Sequence, residues 1–142
     1  MTEQSSAPTW GDGAVPALRD GDLVLTSGQL PFVAGALPAT GKVGAEVTPE
    51  RAQELARACA VNAVAAVHEL LGDLDRVAQV LKVVGFVASD PAFTGQPGVV
   101  NGASDVLAEI FGEAGRHARS AVGVAVLPMD APVEVEITVR VR

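Results

Sequence analysis

The chain has 142 residues, of which 49% are hydrophobic and 19% are charged, and its formal net charge at pH 7 is −7. This composition is typical of one globular domain with a real core, and it excludes a disordered chain. The acidic balance provides no basic surface for neutralising phosphates, so we expect no nucleic-acid partner. No apolar run reaches membrane-spanning length and the first nine residues lack a hydrophobic signal region, so we expect a cytoplasmic protein with no membrane partner.

The first 13 residues are polar and contain glycine, and we expect them to form a loosely ordered arm. Trp10 is the only large apolar residue of this arm, and we expect it to pin the arm onto the rest of the chain. With the arm included, residues 1–142 are predicted to form a single domain.

Three stretches predict strands in the first two thirds of the chain. Asp22–Gln29 follows a turn-forming Asp-Gly pair and is the first clear strand, while Phe32–Leu37 is a candidate for a short second one. Val77–Ser89 is apolar on both faces, which is typical of a central strand. The first strand ends at Ser27 and Gly28, where the glycine either lets a ligand or backbone come close or merely relieves crowding.

Two helices are predicted between and after these strands. The first begins at Thr48–Glu50, since a hydroxyl caps the first turn and a proline fits within it. An apolar stripe then continues to Leu71, and Gly72 is the expected stop. The second helix is predicted from about Val99 to Phe111.

The chain contains one cysteine and two histidines. Cys59 lies among alanines in the first helix, where a buried structural thiol is expected rather than a nucleophile. His68 lies near the end of the same helix and is expected to offset the helix dipole. No ligand-type side chain lies at metal-binding spacing from it, so we expect no metal site.

The segment Gly115–Arg142 predicts two further strands, separated by a proline-containing break. In the first of them Arg119 lies on the face opposite a row of valines, and in the second Glu134 does the same. If both rows of valines pack against the helices, Arg119 and Glu134 lie on the same side of the sheet. Arg119 is then a solvated strand charge or an anion clamp, and the pattern alone favours the solvated charge.

The order of the predicted elements fits an α+β fold in which one sheet carries two helices on one face. The other face offers small and polar residues, too polar for the core of a monomer. The simplest way to cover this face is to pack it against copies of the same chain, and a site between subunits would follow from such packing.

Three separated motifs resemble the RidA family, also known as YjgF or perchloric-acid-soluble proteins. They are TSGQLP (26–31), GEAGRHARSAVGVAVLP (112–128) and APVEVEI (131–137), and the likeness covers residues 14–142. The chain looks most similar to a longer, less characterised branch of that family. The resemblance implies a chorismate-mutase-like fold with a single mixed sheet, and a homotrimer with clefts at the subunit interfaces. It also implies hydrolysis of reactive 2-imino and enamine acids to 2-oxo acids and ammonia, without a cofactor.

The resemblance assigns a role to each of a small set of residues. Arg119 would grip the substrate carboxylate, for which its planar fork of donors is suited, and Glu134 would orient the attacking water or handle its proton. Asn101 would be lent by the adjacent subunit, and Phe93 would form a wall of the cleft. The expected substrate-binding residues are Ser27, Gly28, Phe93, Asn101, Ser120 and Ala121.

Three differences from the family pattern are expected to reshape the cleft. Ala14 stands where the family has a tyrosine, and Ala121 replaces a small thiol. About four extra residues lie at or near 94–97. The position of Glu134 raises a further difficulty. If the last two predicted strands formed a tight hairpin, Glu134 would lie far along the strand from Arg119. The two strands therefore pair otherwise, or Glu134 serves a neighbouring subunit's cleft, or it is simply an outward strand acid.

Two other functions stay open on the sequence. One is a non-catalytic trimer that binds a small carboxylate and senses or buffers it, which the loss of the tyrosine favours. The other is an endoribonuclease or translation inhibitor, a function attached to parts of the family. The acidic charge counts against it, while His117 beside Arg119 keeps it open; a strand-end histidine is nevertheless more often a satisfied surface group than a base.

Overall fold

Five strands form one sheet in the order β1-β2-β5-β3-β4 in the computed structural model, which describes residues 14–142. The strands are β1 (Ala17–Asp20), β2 (Leu23–Thr26), β3 (Val77–Ala88), β4 (Ala118–Val124) and β5 (Val133–Val141). β3 and β4 run parallel, and every other neighbouring pair is antiparallel. The single mixed sheet with two helices on one face confirms the predicted α+β class.

The two helices are α1 (Pro49–Leu71) and α2 (Gln96–Phe111). The side chain of Thr48 accepts a hydrogen bond from the backbone N–H of Arg51 at 3.1 Å, and Gly72 closes the helix with a φ of 81°. Both ends of α1 are therefore as predicted. α2 begins three residues earlier than expected, because its proline occupies the first turn, where no N–H is needed.

The core lies between the helices and one face of the sheet, and valine and alanine make up most of it. Two glycines let α2 approach closely. A β-carbon on Gly85 of β3 would overlap the side chain of Val100, and one on Gly102 of α2 would overlap the backbone carbonyl of Gln53 in α1. α2 is therefore held tightly against both the sheet and α1.

Two strand predictions near the N-terminus were wrong or incomplete. β1 was missed because it has only four residues, two of them charged and three of them exposed; it pairs with β2 through a hairpin at the predicted Asp-Gly turn. Phe32–Leu37 is not a strand of the sheet. Ala34 and Gly35 have positive φ values of 51° and 83° and make a tight turn, which leaves only an isolated bridge between Val33 and Ala36.

The condition that both rows of valines pack against the helices is not met. Arg119 pairs with Val83 of β3 and Ala121 pairs with Gly85, and these β3 positions lie under the helices. Residues directly opposite each other on paired strands share a face, so Arg119 also lies on the helix side of the sheet. Val122 lies on the other face and is 44% exposed.

The face of the sheet away from the helices is here called the open face, and no helix of residues 14–142 packs on it. It carries exposed apolar side chains at both of its edges, Leu18 and Leu25 at one and Val122 at the other. Glu134 and Glu136 of β5 lie between these edges and are half-buried. None of the helices in residues 14–142 is long and apolar enough to cross a membrane.

Candidate functional site

Arg119 on β4 is held in place by two neutral oxygen atoms of α2. Its Nη1 donates to Oδ1 of Asn101 at 2.8 Å and to Oγ of Ser104 at 3.2 Å. Within residues 14–142 no carboxylate pairs with this guanidinium. The two contacts orient the side chain without neutralising its charge, so the positive charge stays available to an anion.

The backbone explains how these three side chains meet. Asn101 and Ser104 are three residues apart on a helix and therefore project from neighbouring positions of one helix face. Arg119 projects toward them from a strand at the edge of the sheet, since within the described chain β4 pairs only with β3. The site thus lies where α2 crosses an open sheet edge.

His117 extends this cluster through a contact with Ser104 that the sequence did not predict. Its Nε2 lies 2.9 Å from Oγ of Ser104, and its Nδ1 lies 2.6 Å from the backbone oxygen of Gly115. His117 lies one residue before β4 and two before Arg119, and this spacing, which puts the two side chains on the same side, is visible in the sequence. The helix residue Ser104 carried no such signal.

Glu134 lies in a second cluster, on the open face, against the backbone of Gly28. The ladder between β2 and β5 pairs Leu25 with Thr138, and it resumes where Gln29 and Val135 exchange two backbone hydrogen bonds of 2.8 and 3.0 Å. Between these two pairs the first strand advances four residues, from Leu25 to Gln29, whereas β5 covers only three, from Thr138 to Val135. One residue of the first strand therefore bulges out.

The bulge leaves Gly28 directly beside the Glu134 side chain. A β-carbon on Gly28 would overlap the carboxylate, so the absence of a side chain is what makes room for it. The sequence left two interpretations of this glycine, and one of them was the close approach of a ligand or a backbone segment. In the structure the group that comes close is a carboxylate side chain of the same chain.

The environment of Glu134 raises the pKa of its carboxyl above the ordinary range for glutamate. Partial burial is the larger cause and the negative charge of Glu136, two residues along the same face, adds to it. A raised pKa makes this carboxylate a better proton acceptor than an ordinary exposed glutamate.

The two clusters lie on opposite faces of the sheet within one chain. Glu134 is opposite Phe86 of β3, and Phe86 is opposite Val122 of β4, so these three side chains form a row across the open face. Arg119 lies three residues from Val122, on the helix side. Arg119 and Glu134 would have shared a face only if both rows of valines packed against the helices, so in this structure they do not. The tight hairpin between their strands does not form, because β3 lies between β4 and β5.

The remaining predicted residues divide between these clusters. Ala121 lies on the helix side and packs against the core, whereas Ser120 is exposed on the open face. The hydroxyl of Ser27 donates to the backbone oxygen of Val15, which ties the bulge to the segment before β1. Asn101, expected as a loan from a neighbouring subunit, contacts Arg119 of its own chain.

Phe93 lines a cavity of about 340 Å³ beyond the ends of β3 and β4. The side chain of Gln96 borders this cavity and donates to Oγ of Ser89 at 3.2 Å and to the backbone oxygen of Phe93 at 2.8 Å. A β-carbon on Gly123 would meet the Gln96 amide at 2.8 Å. The extra residues at 94–97 therefore place an amide over the helix side of β4.

Other candidate chemistry finds no support among the described residues. Burial raises the pKa of the Cys59 thiol far above its usual range, which keeps it protonated and unreactive. No group of three His, Cys, Asp or Glu side chains in residues 14–142 could hold a metal ion. Ala14 is exposed, and Trp10 and the predicted arm lie outside the described residues.

A mixed five-stranded sheet with two helices on one face defines a chorismate-mutase-like α+β domain, and comparison with known proteins agrees. The family described as "YjgF/chorismate mutase-like, putative endoribonuclease" matches residues 12–139. The chain therefore belongs to the YjgF/chorismate mutase-like family, which confirms the resemblance found in its motifs.

Individual relatives differ in their sequence identity to this chain. Protein TCP17 of Trypanosoma cruzi is 52% identical over 119 residues, covering 82% of this chain and 73% of that protein. The crystal structure of Atu1372 from Agrobacterium tumefaciens, a protein of unknown function, is 47% identical with a TM-score of 0.89, covering 90% of this chain and 82% of that one. A "putative endoribonuclease" from Shewanella oneidensis is 31% identical with a TM-score of 0.89, covering 97% and 91%.

Proposed function

We propose that the protein hydrolyses reactive 2-imino and enamine acids to 2-oxo acids and ammonia, in clefts between the subunits of a homotrimer. The observation that carries the proposal is the state of Arg119, whose guanidinium is oriented by Asn101 and Ser104 but has no carboxylate partner among the described residues. A carboxylate-bearing substrate would complete that site with two parallel hydrogen bonds.

In this proposal the reaction needs an anchor and a proton-transfer group, and the protein has a candidate for each. Arg119 fixes the substrate carboxylate, and water attacks the imine carbon. Glu134 takes a proton from that water and passes it to the imine nitrogen, which gives a carbinolamine. It then moves the hydroxyl proton of the carbinolamine to the same nitrogen as the C–N bond breaks, so that ammonia leaves and the 2-oxo acid remains, a role for which the raised pKa of Glu134 is suited. Since no intermediate is bonded covalently to the protein, holding the reactants in place supplies much of the acceleration.

The positions of the two groups favour a cleft shared between chains. Arg119 and Glu134 lie on opposite faces of one sheet, so a single chain does not offer both to one small substrate. The exposed apolar side chains of the open face, among them Leu18 at 61% exposure, support packing of that face against a copy of the chain. Glu134 would then act beside the arginine of a neighbour.

Ammonia release from freshly generated imino acids tests the activity. We expect the wild type to exceed the spontaneous rate and Arg119→Ala to fall back to it. Arg116→Ala is the matched control, because Arg116 lies three residues away and its side chain is 80% exposed, next to Glu113. Arg119→Lys should weaken binding of 2-oxobutanoate, since lysine keeps the charge without the two-pronged geometry. Equal rates for the wild type and Arg119→Ala would refute the proposal.

The same arginine would also serve a trimer that binds a small carboxylate without turnover. The separation of Arg119 from Glu134 within the chain is the observation that favours this second function. Tight, Arg119-dependent binding of 2-oxobutanoate by a protein that does not accelerate imine hydrolysis would establish it in place of the first.

A further inference from the structure

We infer that His117 is a positioning residue for Arg119, acting through the hydroxyl group of Ser104. The inference rests on the proposed carboxylate-binding role of Arg119 and adds to it two residues that the family resemblance does not assign. Its basis is an unbroken line of hydrogen bonds that leads from the guanidinium to the backbone oxygen of Gly115.

The direction of each hydrogen bond in this line follows from the groups at its two ends. A backbone oxygen can only accept, so the Nδ1 of His117 carries a proton and donates to Gly115. In the neutral imidazole Nε2 is then an acceptor, and the only hydrogen that Ser104 can offer it is that of its hydroxyl. The guanidinium can only donate, so the same oxygen accepts from Nη1 of Arg119.

The consequence is that Ser104 has one orientation instead of three. A free hydroxyl on a helix rotates and can also bond to the carbonyl one turn back, which would turn its lone pairs away from Arg119. Donation to His117 fixes the hydrogen and leaves a lone pair directed at the guanidinium. Each donor in such a chain also polarises the next, which strengthens the contact with Arg119.

A nucleophilic role for the Ser104–His117 pair is less well supported, although the two groups lie at the distance of a catalytic dyad. Ser104 lies in the middle of α2, where backbone N–H groups are used within the helix. The donor that lies beside the hydroxyl is the guanidinium of Arg119, which in the proposed function binds the substrate carboxylate and not an oxyanion. The pair orients the arginine and does not attack the substrate.

Two pairs of variants separate this role from a merely structural one. Ser104→Ala removes the hydroxyl and Ser104→Thr keeps it. His117→Asn can reach Gly115 but leaves Ser104 without an acceptor, while His117→Gln places an amide oxygen close to where Nε2 was. We expect Ser104→Ala and His117→Asn to raise both KM and the Kd for 2-oxobutanoate by about 3- to 10-fold. The value of kcat should stay within about twofold of the wild type, because the lost neutral hydrogen bond supports an anchor that binds the ground state and the transition state alike. Threonine and glutamine should restore most of the affinity.

A spectroscopic measurement decides the inference independently of any activity. Nitrogen NMR of the wild type should show neutral His117 protonated on Nδ1. Rotation of the Arg119 guanidinium amino groups should be slow in the wild type and in His117→Gln, and faster in His117→Asn.

If the wild type neither hydrolyses imines nor binds 2-oxobutanoate, the proposed function fails while these spectra still test the positioning role. An Nε2-protonated imidazole, or an arginine equally mobile in all variants, would overturn the inference. So would a fall in kcat at unchanged Kd, which would place the pair in proton transfer.

Discussion

The carboxylate of Glu134 lies against the backbone of Gly28, in space that any other residue would fill with its β-carbon. The φ of Gly28 is not in the left-handed region, so the glycine is required by this contact and not by the backbone conformation. A single missing methyl group therefore determines where the proposed proton-transfer group can lie.

Gly28→Ala should lower the kcat of the proposed deamination while the fold survives. The new methyl group meets the far end of a flexible side chain, which can rotate away at small cost, so the thermal midpoint should change little while Glu134 leaves its position. Gly98→Ala is the control, because a β-carbon there has open space around it. A kcat equal to that of the wild type would show that the position of Glu134 is irrelevant to turnover.

How far the sequence predicted this arrangement depends on which interactions were local. The ends of α1 follow from a threonine cap and a glycine stop that contact only their own helix. The orientation of β4 does not, because it depends on packing against α2, in which the small Ala121 and Gly123 face the helix side and the bulkier Val122 faces outward. Apolar alternation identified the strand but gave the wrong face.

The candidate site was predictable in part for the same reason. Arg119, Asn101, Gly28 and Glu134 were identified from motifs, and the structure groups them in two pairs. Their separation onto two faces depends on β3 lying between β4 and β5, a long-range pairing that no local pattern encodes. Ser104 was missed because a serine on a helix has no distinguishing period or spacing.

Mixing two inactive variants tests whether the cleft is shared between chains. Arg119→Ala and Glu134→Gln should each be inactive alone, while trimers reassembled from an equal mixture should recover activity in about a quarter of their clefts, those that receive both intact residues. Light scattering on each variant verifies the trimer first. No recovery in mixed trimers would place both residues of a working site in one chain.

Glu134→Gln should also change how stability depends on pH. The folded state raises the pKa of this carboxyl, so its contribution to stability is fully present below the unfolded value of about 4.3 and is lost as the pH rises through the raised folded value. Glutamine cannot ionise, so the variant should melt at a higher temperature than the wild type at neutral pH, by a margin that shrinks toward pH 4. Glu69→Gln, at an exposed position of α1, is the control for removing one glutamate charge from the chain. A margin independent of pH would mean that Glu134 ionises without penalty.

Gly102→Ala should loosen the helix that carries Asn101 and Ser104. The new methyl group would overlap the backbone carbonyl of Gln53, which cannot rotate away, so the two helices must separate. We expect a loss of about 1–3 kcal/mol in the free energy of unfolding, as for other overpacked sites, and weaker binding of 2-oxobutanoate. Gly98→Ala in the same helix should be neutral or slightly stabilising. Unchanged denaturant midpoints for Gly102→Ala would contradict the tight packing of α2 on α1.

Ala14 should widen the substrate preference of the proposed deaminase toward larger side chains. Family members with a tyrosine at this position would offer a hydroxyl to the ligand, whereas this chain offers an exposed methyl group, and Ala121 is also apolar. With Arg119 as the main polar anchor, we expect faster turnover of leucine- and methionine-derived imino acids than of the alanine-derived one, a gain of about 1–3 kcal/mol at best for each methylene group. Ala14→Tyr should reduce or reverse that preference while leaving the thermal midpoint unchanged, because the position is exposed. Relative kcat/KM values on the three substrates, measured for both proteins, decide it. A wild type that clearly prefers the smallest substrate would indicate that the space is filled, for which Gln96 over Gly123 is the candidate within the described chain.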